Sequence, residues 1–237
     1  MAKTVVIHQP DFMPYLGFFE RLLHCDLFVV LDHVQYIKGG WQNRDKIKTP
    51  EGVKWLTIPL QIKGNTFSPY NRVLVSQNID WKTQHLDVLK RCYKDAPHFH
   101  EIYPKLAEAY SRPCDLMIDF NVGLLGILME LFDVHPQMVI SSELDPQGKS
   151  NEMLVDLLKK VGAETYLSGV GAKDYFDEGA FLQAGIEVTW QDFVHPVYPQ
   201  LYGDFVPYLS CIDLLFNCGV CASRSTLKSA GNNSAFP

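Results

Sequence analysis

The sequence predicts an α/β fold: a mostly parallel, Rossmann-like sheet flanked by helices, with a helical insertion. Three observations carry that expectation. Short apolar runs such as Thr4–His8 (T-V-V-I-H) and Asp26–Asp32 (D-L-F-V-V-L-D) read as strands covered on both faces. Between them Leu16, Phe19, Leu22 and Leu23 recur at helical spacing. From Met138 onward, strand-like and helix-like segments alternate again.

Taken in order, β-branched Thr4 to His8 forms the first strand, and Pro10 and Pro14 prevent it from continuing. Tyr15 to His24 follows as a helix and Asp26 to Asp32 as the second strand, giving a βαβ unit. Lys54 to Leu60 is expected as a strand, and Arg72 to Ser76 as another. Residues 78–132 read as helical, punctuated by Pro97, Pro104 and Pro113; Leu124, Leu125, Leu128, Leu131 and Phe132 share one helix face. Met138 to Ser141 is a strand, Ser150 to Val161 a helix opened by a Ser/Asn cap, and Glu164 to Ser168 a strand. Ala172 to Ala184 is expected as a helix stopped by Gly185, Ile186 to Trp190 as a strand, and Pro207 to Asn217 as a last apolar helix.

At 237 residues the chain can bury roughly 70–75% of its unfolded surface, enough to fold without disulfides or metal. The expected organisation is one α/β domain over residues 1–222, with the helical insertion at about 78–132 and a polar tail at 223–237. A formal charge of −6 argues against nucleic-acid binding, which needs many phosphates neutralised by Lys and Arg. No apolar run approaches the roughly 20 residues of a membrane span, and the first strand is too short for a signal peptide, so a cytoplasmic protein is expected. Its six cysteines are then reduced. Cys218 and Cys221 have C-x-x-C spacing but no second ligand pair, so no metal site is expected.

Ligands of open parallel sheets bind beyond the carboxyl ends of the strands. The polar residues there are therefore the candidates. His8 and Gln9 follow the first strand; a neutral imidazole there suits hydrogen bonding to a phosphate or sugar, or work as a general base. Asp32 with Gln35 and Tyr36 follows the second. In Trp41-Gln42-Asn43-Arg44 the arginine offers a planar fork for phosphate or carboxylate, Asn43 can read a hydroxyl, and Trp41 can stack. Ser168, Gly169 and Gly171 lie between a strand and a helix, where bare amides can approach a ligand, with Lys173 and Tyr175 beside them. Tyr15 and Ser210 complete the set, Ser210 sharing a face with Asp213. Neither a dinucleotide fingerprint, a P-loop nor a G-x-S-x-G elbow is present.

These residues resemble the WbqC-like family across most of the chain. The match rests on V-V-I-H-Q-P-D-F-M-P-Y-L-G-F-F (5–19), D-L-F-V-V-L-D-H-V-Q-Y (26–36), W-Q-N-R (41–44) and W-L-T-I-P (55–59). Y-L-S-G-V-G-A-K-D-Y (166–175) and P-Y-L-S-C-I-D-L-L-F-N-C-G (207–219) extend it. The resemblance implies a bacterial protein associated with surface-polysaccharide biosynthesis of the O-antigen (lipopolysaccharide) type. A second, topological likeness is to the ATP-binding nucleotidyltransferases and adenylate-forming ligases. That class carries a His-x-Gly-His loop, where this chain has His8-Gln9-Pro10 and places His24 at the far end of the helix.

The expected function is acyl or aminoacyl transfer to a nucleotide-linked amino sugar, with His8 or Asp32 taking the amine's proton. Arg44, Gly169 and Gly171 would hold the diphosphate. The expected partner is a nucleotide-linked sugar or another small phosphorylated ligand, with no tightly bound cofactor, ATP as an alternative substrate, and a homo-oligomer within reach. Two rivals stand beside it: an ATP-dependent adenylate-forming ligase or nucleotidyltransferase, and a noncatalytic adaptor in a glycan-assembly complex.

Overall fold

The computed structural model describes residues 2–61 and 68–230, with the backbone alone at Asp174 and Tyr175. Five strands form one sheet: β1 (Thr4–His8), β2 (Leu27–Val30), β5 (Gln137–Ile140), β6 (Thr165–Ser168) and β7 (Glu187–Trp190). Their order is β5-β2-β1-β6-β7, and every pairing is parallel. Counted along the chain, that is third, second, first, fourth, fifth. The order therefore reverses between β1 and β6, the crevice where doubly wound sheets hold ligands. A separate antiparallel hairpin joins β3 (Arg44–Thr49) to β4 (Gly52–Thr57).

The two central strands explain the layering. Val5 and Ile7 of β1 and Leu27 and Val29 of β2 point into one core, with Leu157 and Leu158 of α5 (Asn151–Lys160) and Phe181 of α6 (Glu178–Gln183). Val6, Phe28 and Val30 point the other way. They share a core with residues of α1 (Leu16–Leu23), α2 (Trp81–Tyr93), α3 (Phe99–Ser111), α4 (Met117–Phe132) and α7 (Ile212–Ala230). This is the period-2 alternation of a strand read against helices on both faces. Each fully buried side chain of this kind contributes about 1.5–3 kcal/mol.

The expected helical stretch at 78–132 is α2 to α4, and all three pack into the larger core. Among the described residues no helix is long and apolar enough to cross a membrane.

Five local expectations need correction. Arg72–Ser76 is not a strand: a 3₁₀ turn over Tyr70–Arg72 precedes isolated bridges from Leu74 to Leu116 and Val75 to Leu60. The strand expected over Lys54–Leu60 begins at Gly52 and ends at Thr57, paired to the charged, unforeseen β3. Ser150 precedes α5 with φ +50° and makes no side-chain cap bond. Ala172–Ala184 is not one helix: a 3₁₀ segment over Val170–Tyr175 gives way to extended Phe176, and Asp177 caps α6 by accepting from the Gly179 amide. The last helix starts at Ile212 and runs to Ala230, so Ser223–Ala230 is helical, with Ser223 and Leu227 buried. Residues 231–237 of the expected tail lie outside the described residues. The helix bends at Gly219, whose φ of +75° suits glycine, and a Cβ there would fall 2.4 Å from Nδ1 of His98.

Candidate functional site

Because all five strands are parallel, their carboxyl ends share one rim. His8 closes β1 there, next to the reversal between β1 and β6. Its Nδ1 lies 2.7 Å from the carbonyl of Gln9 and 3.8 Å from Oδ2 of Asp11, and its ring meets Phe18 edge-on. Donating Nδ1–H to that carbonyl leaves Nε2 with its lone pair. Burial first, and the Arg21 charge second, lower the His8 pKa to about 3, against the Gln9 hydrogen bond, although 34% of the side chain remains accessible. His8 is thus a neutral acceptor and a weak base.

Asp11 is one of two residues that sequence reasoning missed. It is 7% exposed, and burial raises its pKa to about 7, with Arg21 pulling the other way. A carboxyl group titrating near neutrality is poised for proton transfer. Its signal in the sequence was an acid bracketed by Pro10 and Pro14 directly after a strand.

The loop carrying Asp11 is clamped from several directions. The Pro10 carbonyl accepts from Tyr70 Oη (2.7 Å) and Asn121 Nδ2 (2.9 Å). Phe12 donates its amide to Trp41, and Cys211 donates its amide to Pro14. Tyr15 bridges to Ser210, whose amide donates to Lys46 of β3. Met13 takes φ +46°, an uncommon region for a side-chain-bearing residue that these clamps hold in place. Ser210 is fully buried, so it fastens this loop from beneath. Asp45 of β3, 2% exposed, is raised well above the carboxylate range by burial, and the nearby Asp11 charge adds to it.

Arg21 was also missed. It lies in the last turn of α1, is 6% exposed, and its Nε is buried without a hydrogen-bond partner. Its signal was an arginine embedded in the apolar run L-G-F-F-E-R-L-L.

The remaining candidates divide. Gln9 sits beside His8, its Oε1 accepting from Gln42 and its Nε2 reaching the carbonyl of exposed Gln35 at 3.4 Å. Tyr36 Oη donates to Asn43 Oδ1 while Asn43 Nδ2 donates to the Ile58 carbonyl, so both polar ends of that amide are used in holding the hairpin. Asp32 accepts from Ser141 Oγ, from the Ser142 amide and Oγ, and from Asn71 Nδ2. Burial alone would raise its pKa, but these hydrogen bonds outweigh it and the carboxylate is lowered, hence a poor base.

Arg44 opens β3, its guanidinium 4.4 Å from the Trp55 ring and bonded to the Gly39 carbonyl. Trp41 and Trp55 are 47% and 45% exposed with ring centroids 5.4 Å apart, and Lys46 Nζ is 5.5 Å from each ring. Ser168 is buried at the end of β6 and its carbonyl accepts from the Gln191 amide. A Cβ on Gly169 would meet Arg21 Nη1, whereas one on Gly171 would meet nothing within 4 Å. Arg21, and not Arg44, therefore lies against Gly169. The Tyr175 side chain lies outside the described residues.

A groove of about 330 Å³ between the start of α2 and the loop before α4 holds Asp80 and Lys82. Asp80 caps α2 and Lys82 Nζ is bonded to the Arg112 carbonyl, so its polar groups serve the fold. The strand rim is where titratable groups converge.

The model of the WbqC-like protein family matches residues 9–225. A Mycobacterium tuberculosis (strain ATCC 25618 / H37Rv) protein described as "Uncharacterized protein Rv1507c" is 34% identical over 219 residues, covering 92% of this chain and 94% of the relative. No solved structure matches the chain.

Proposed function

The chain belongs to the WbqC-like protein family, and from the chemistry at its sheet rim we propose that it is a surface-polysaccharide biosynthesis enzyme. The reaction is transfer of an acyl or aminoacyl group to the amine of a nucleotide-linked amino sugar, in the cytoplasm. One observation carries this reading: the buried Asp11 carboxyl, with a pKa raised to about 7, stands 3.8 Å from a neutral His8 at the carboxyl end of β1. The amine nitrogen attacks the acyl carbon, a C–N bond forms, the bond from that carbon to its carrier breaks, and Asp11 takes the amine's proton. His8 Nε2 accepts a hydrogen bond from the substrate and orients it. The role of base therefore passes from His8 and Asp32 to Asp11. Exposed Trp41 and Trp55, with Arg44 over the latter, offer the stacking surface for the base or sugar ring.

The strand order with its reversal beside β1 favours a second reading, an ATP-dependent adenylate-forming ligase, because nucleotides bind at such a crevice. A thermal-shift screen separates the two, since a ligand of the folded state raises stability by RT ln(1+[L]/Kd). Stabilisation by nucleotide-linked amino sugars, followed by N-acylated product on mass spectrometry, supports the transferase. Pyrophosphate release that requires ATP and an amino acid supports the ligase, and stabilisation by neither class supports an adaptor.

A further inference from the structure

A guanidinium does not deprotonate in proteins. A buried charge without a partner is costly, and natural proteins pair such groups or use them. Arg21 is 6% exposed, and its Nε is shielded without a hydrogen-bond partner. The carboxylate nearest in sequence, Glu20, is engaged elsewhere, with His24 Nε2 at 3.1 Å on one oxygen and Gln191 Nε2 on the other. Asp11 Oδ2 stands against His8.

A second observation, made on another element, points to the same place. Gly169 follows the last residue of β6 with φ −76° and ψ 146°, a conformation open to any residue. Backbone freedom does not call for glycine there; space does. A Cβ on Gly169 would lie 2.4 Å from Arg21 Nη1. Helical side chains lean back toward the N-terminus, which carries the guanidinium from the last turn of α1 past Phe18, 6.0 Å away, toward the rim.

We propose that Arg21, admitted by the missing Cβ of Gly169, is the anion-binding residue of the β1/β6 crevice and grips the diphosphate of the ligand. The planar fork of five donors matches phosphate oxygens two at a time. The bound anion supplies the partner that the fold withholds. This deepens the transferase reading by naming the group that holds the phosphates, and it replaces Arg44 in that role.

The test uses the full chain with inorganic phosphate, diphosphate, a nucleoside-diphosphate amino sugar and acetate as probes, read by calorimetry and thermal shift. Wild type is expected to bind diphosphate and the nucleotide sugar more tightly than phosphate. Arg21→Met is expected to bind diphosphate about 10–100-fold more weakly, the loss of one charged bidentate contact, while melting at or above the wild-type temperature. A lower melting temperature together with unchanged diphosphate affinity makes Arg21 a structural counter-ion and overturns the proposal. Gly169→Ala keeps the backbone conformation and displaces only the end of a flexible side chain, so it covers the case in which Arg21→Met fails to fold. It is expected to weaken diphosphate binding about tenfold or more. Wild-type affinity in Gly169→Ala, or acetate binding as tightly as diphosphate, also overturns it. Arg21-dependent diphosphate binding without any N-acylated product would remove the transferase reading alone.

Discussion

Asp11 Oδ2 lies 3.8 Å from His8 Nδ1, but that nitrogen is already bonded to the Gln9 carbonyl at 2.7 Å. The two side chains are therefore neighbours and not an ion pair. The imidazole stays neutral while the carboxyl group gains or loses its proton near pH 7, the division of labour expected when two environments push two pKa values apart.

The first prediction concerns rate against pH. A general base typically contributes 10²–10⁴-fold. With Asp11 in that role, kcat/KM should rise with pH through a limb centred near 7. Asp11→Asn should lower kcat by about 10²-fold or more and abolish the limb. His8→Gln should lower turnover and leave the limb in place; a limb that vanishes with His8 assigns the proton to the imidazole instead.

Stability against pH provides a second check, with opposite signs from the two groups. The raised Asp11 pKa means that the unfolded chain loses its proton first, so stability falls as pH rises from about 4 to 7. The lowered His8 pKa means that the unfolded chain gains a proton first, so stability falls as pH drops from about 6.5 toward 3. Buried His85, lowered to about 4, acts with His8, and buried Asp45 and Asp213 act with Asp11. Subtracting wild type from Asp11→Asn in urea titrations cancels most of these. The difference should grow with pH between about 4 and 7, to at most ~4 kcal/mol. A flat difference would mean that Asp11 keeps an ordinary carboxylate pKa.

Asp32 is predicted to matter for the fold and not for the chemistry. Its carboxylate ties β2 to the residues after β5 through Ser141 and Ser142, and to Asn71. Asp32→Asn places amide hydrogens against donors, which should lower unfolding stability by about 2–3 kcal/mol. The folded fraction should retain kcat. A drop of 10²-fold or more in kcat with unchanged stability would return Asp32 to the reaction centre.

The sheet was legible in the sequence because its strands are covered on both faces and write themselves as apolar runs. Leu27–Val30 shows this, every residue of it buried. The hairpin strand β3 was not legible. R-D-K-I-K-T reads as a polar loop, and it becomes a strand only because β4 pairs with it and the Ser210 amide reaches Lys46. The site split in the same way. His8 closes a strand, Gln9 and Gly169 follow strands, and all three were visible from local pattern. Asp11 and Arg21 stand out only through their burial, which arises when α1, the rim loops and β6 are brought together from distant parts of the chain, and no local window records it.

The hairpin supplies the final prediction. Trp41 and Trp55 leave nearly half of their surface accessible, and Arg44 and Lys46 stand over the rings. Two cations beside two open aromatic faces suit a flat, electron-rich ring attached to an anion. Stacking a base on an aromatic side chain contributes about 1–3 kcal/mol by alanine substitution. Trp55→Ala should therefore weaken nucleotide-sugar binding by roughly 5–100-fold. Arg44→Ala should weaken it less, because that guanidinium already bonds Gly39. Neither variant removes a buried group of the core, so melting temperatures should stay close to wild type while calorimetric affinity falls. The same loss should appear with the free nucleoside diphosphate but not with inorganic diphosphate, since only the former carries a ring to stack. Equal losses on both probes would place Trp55 at the anion and not at the base.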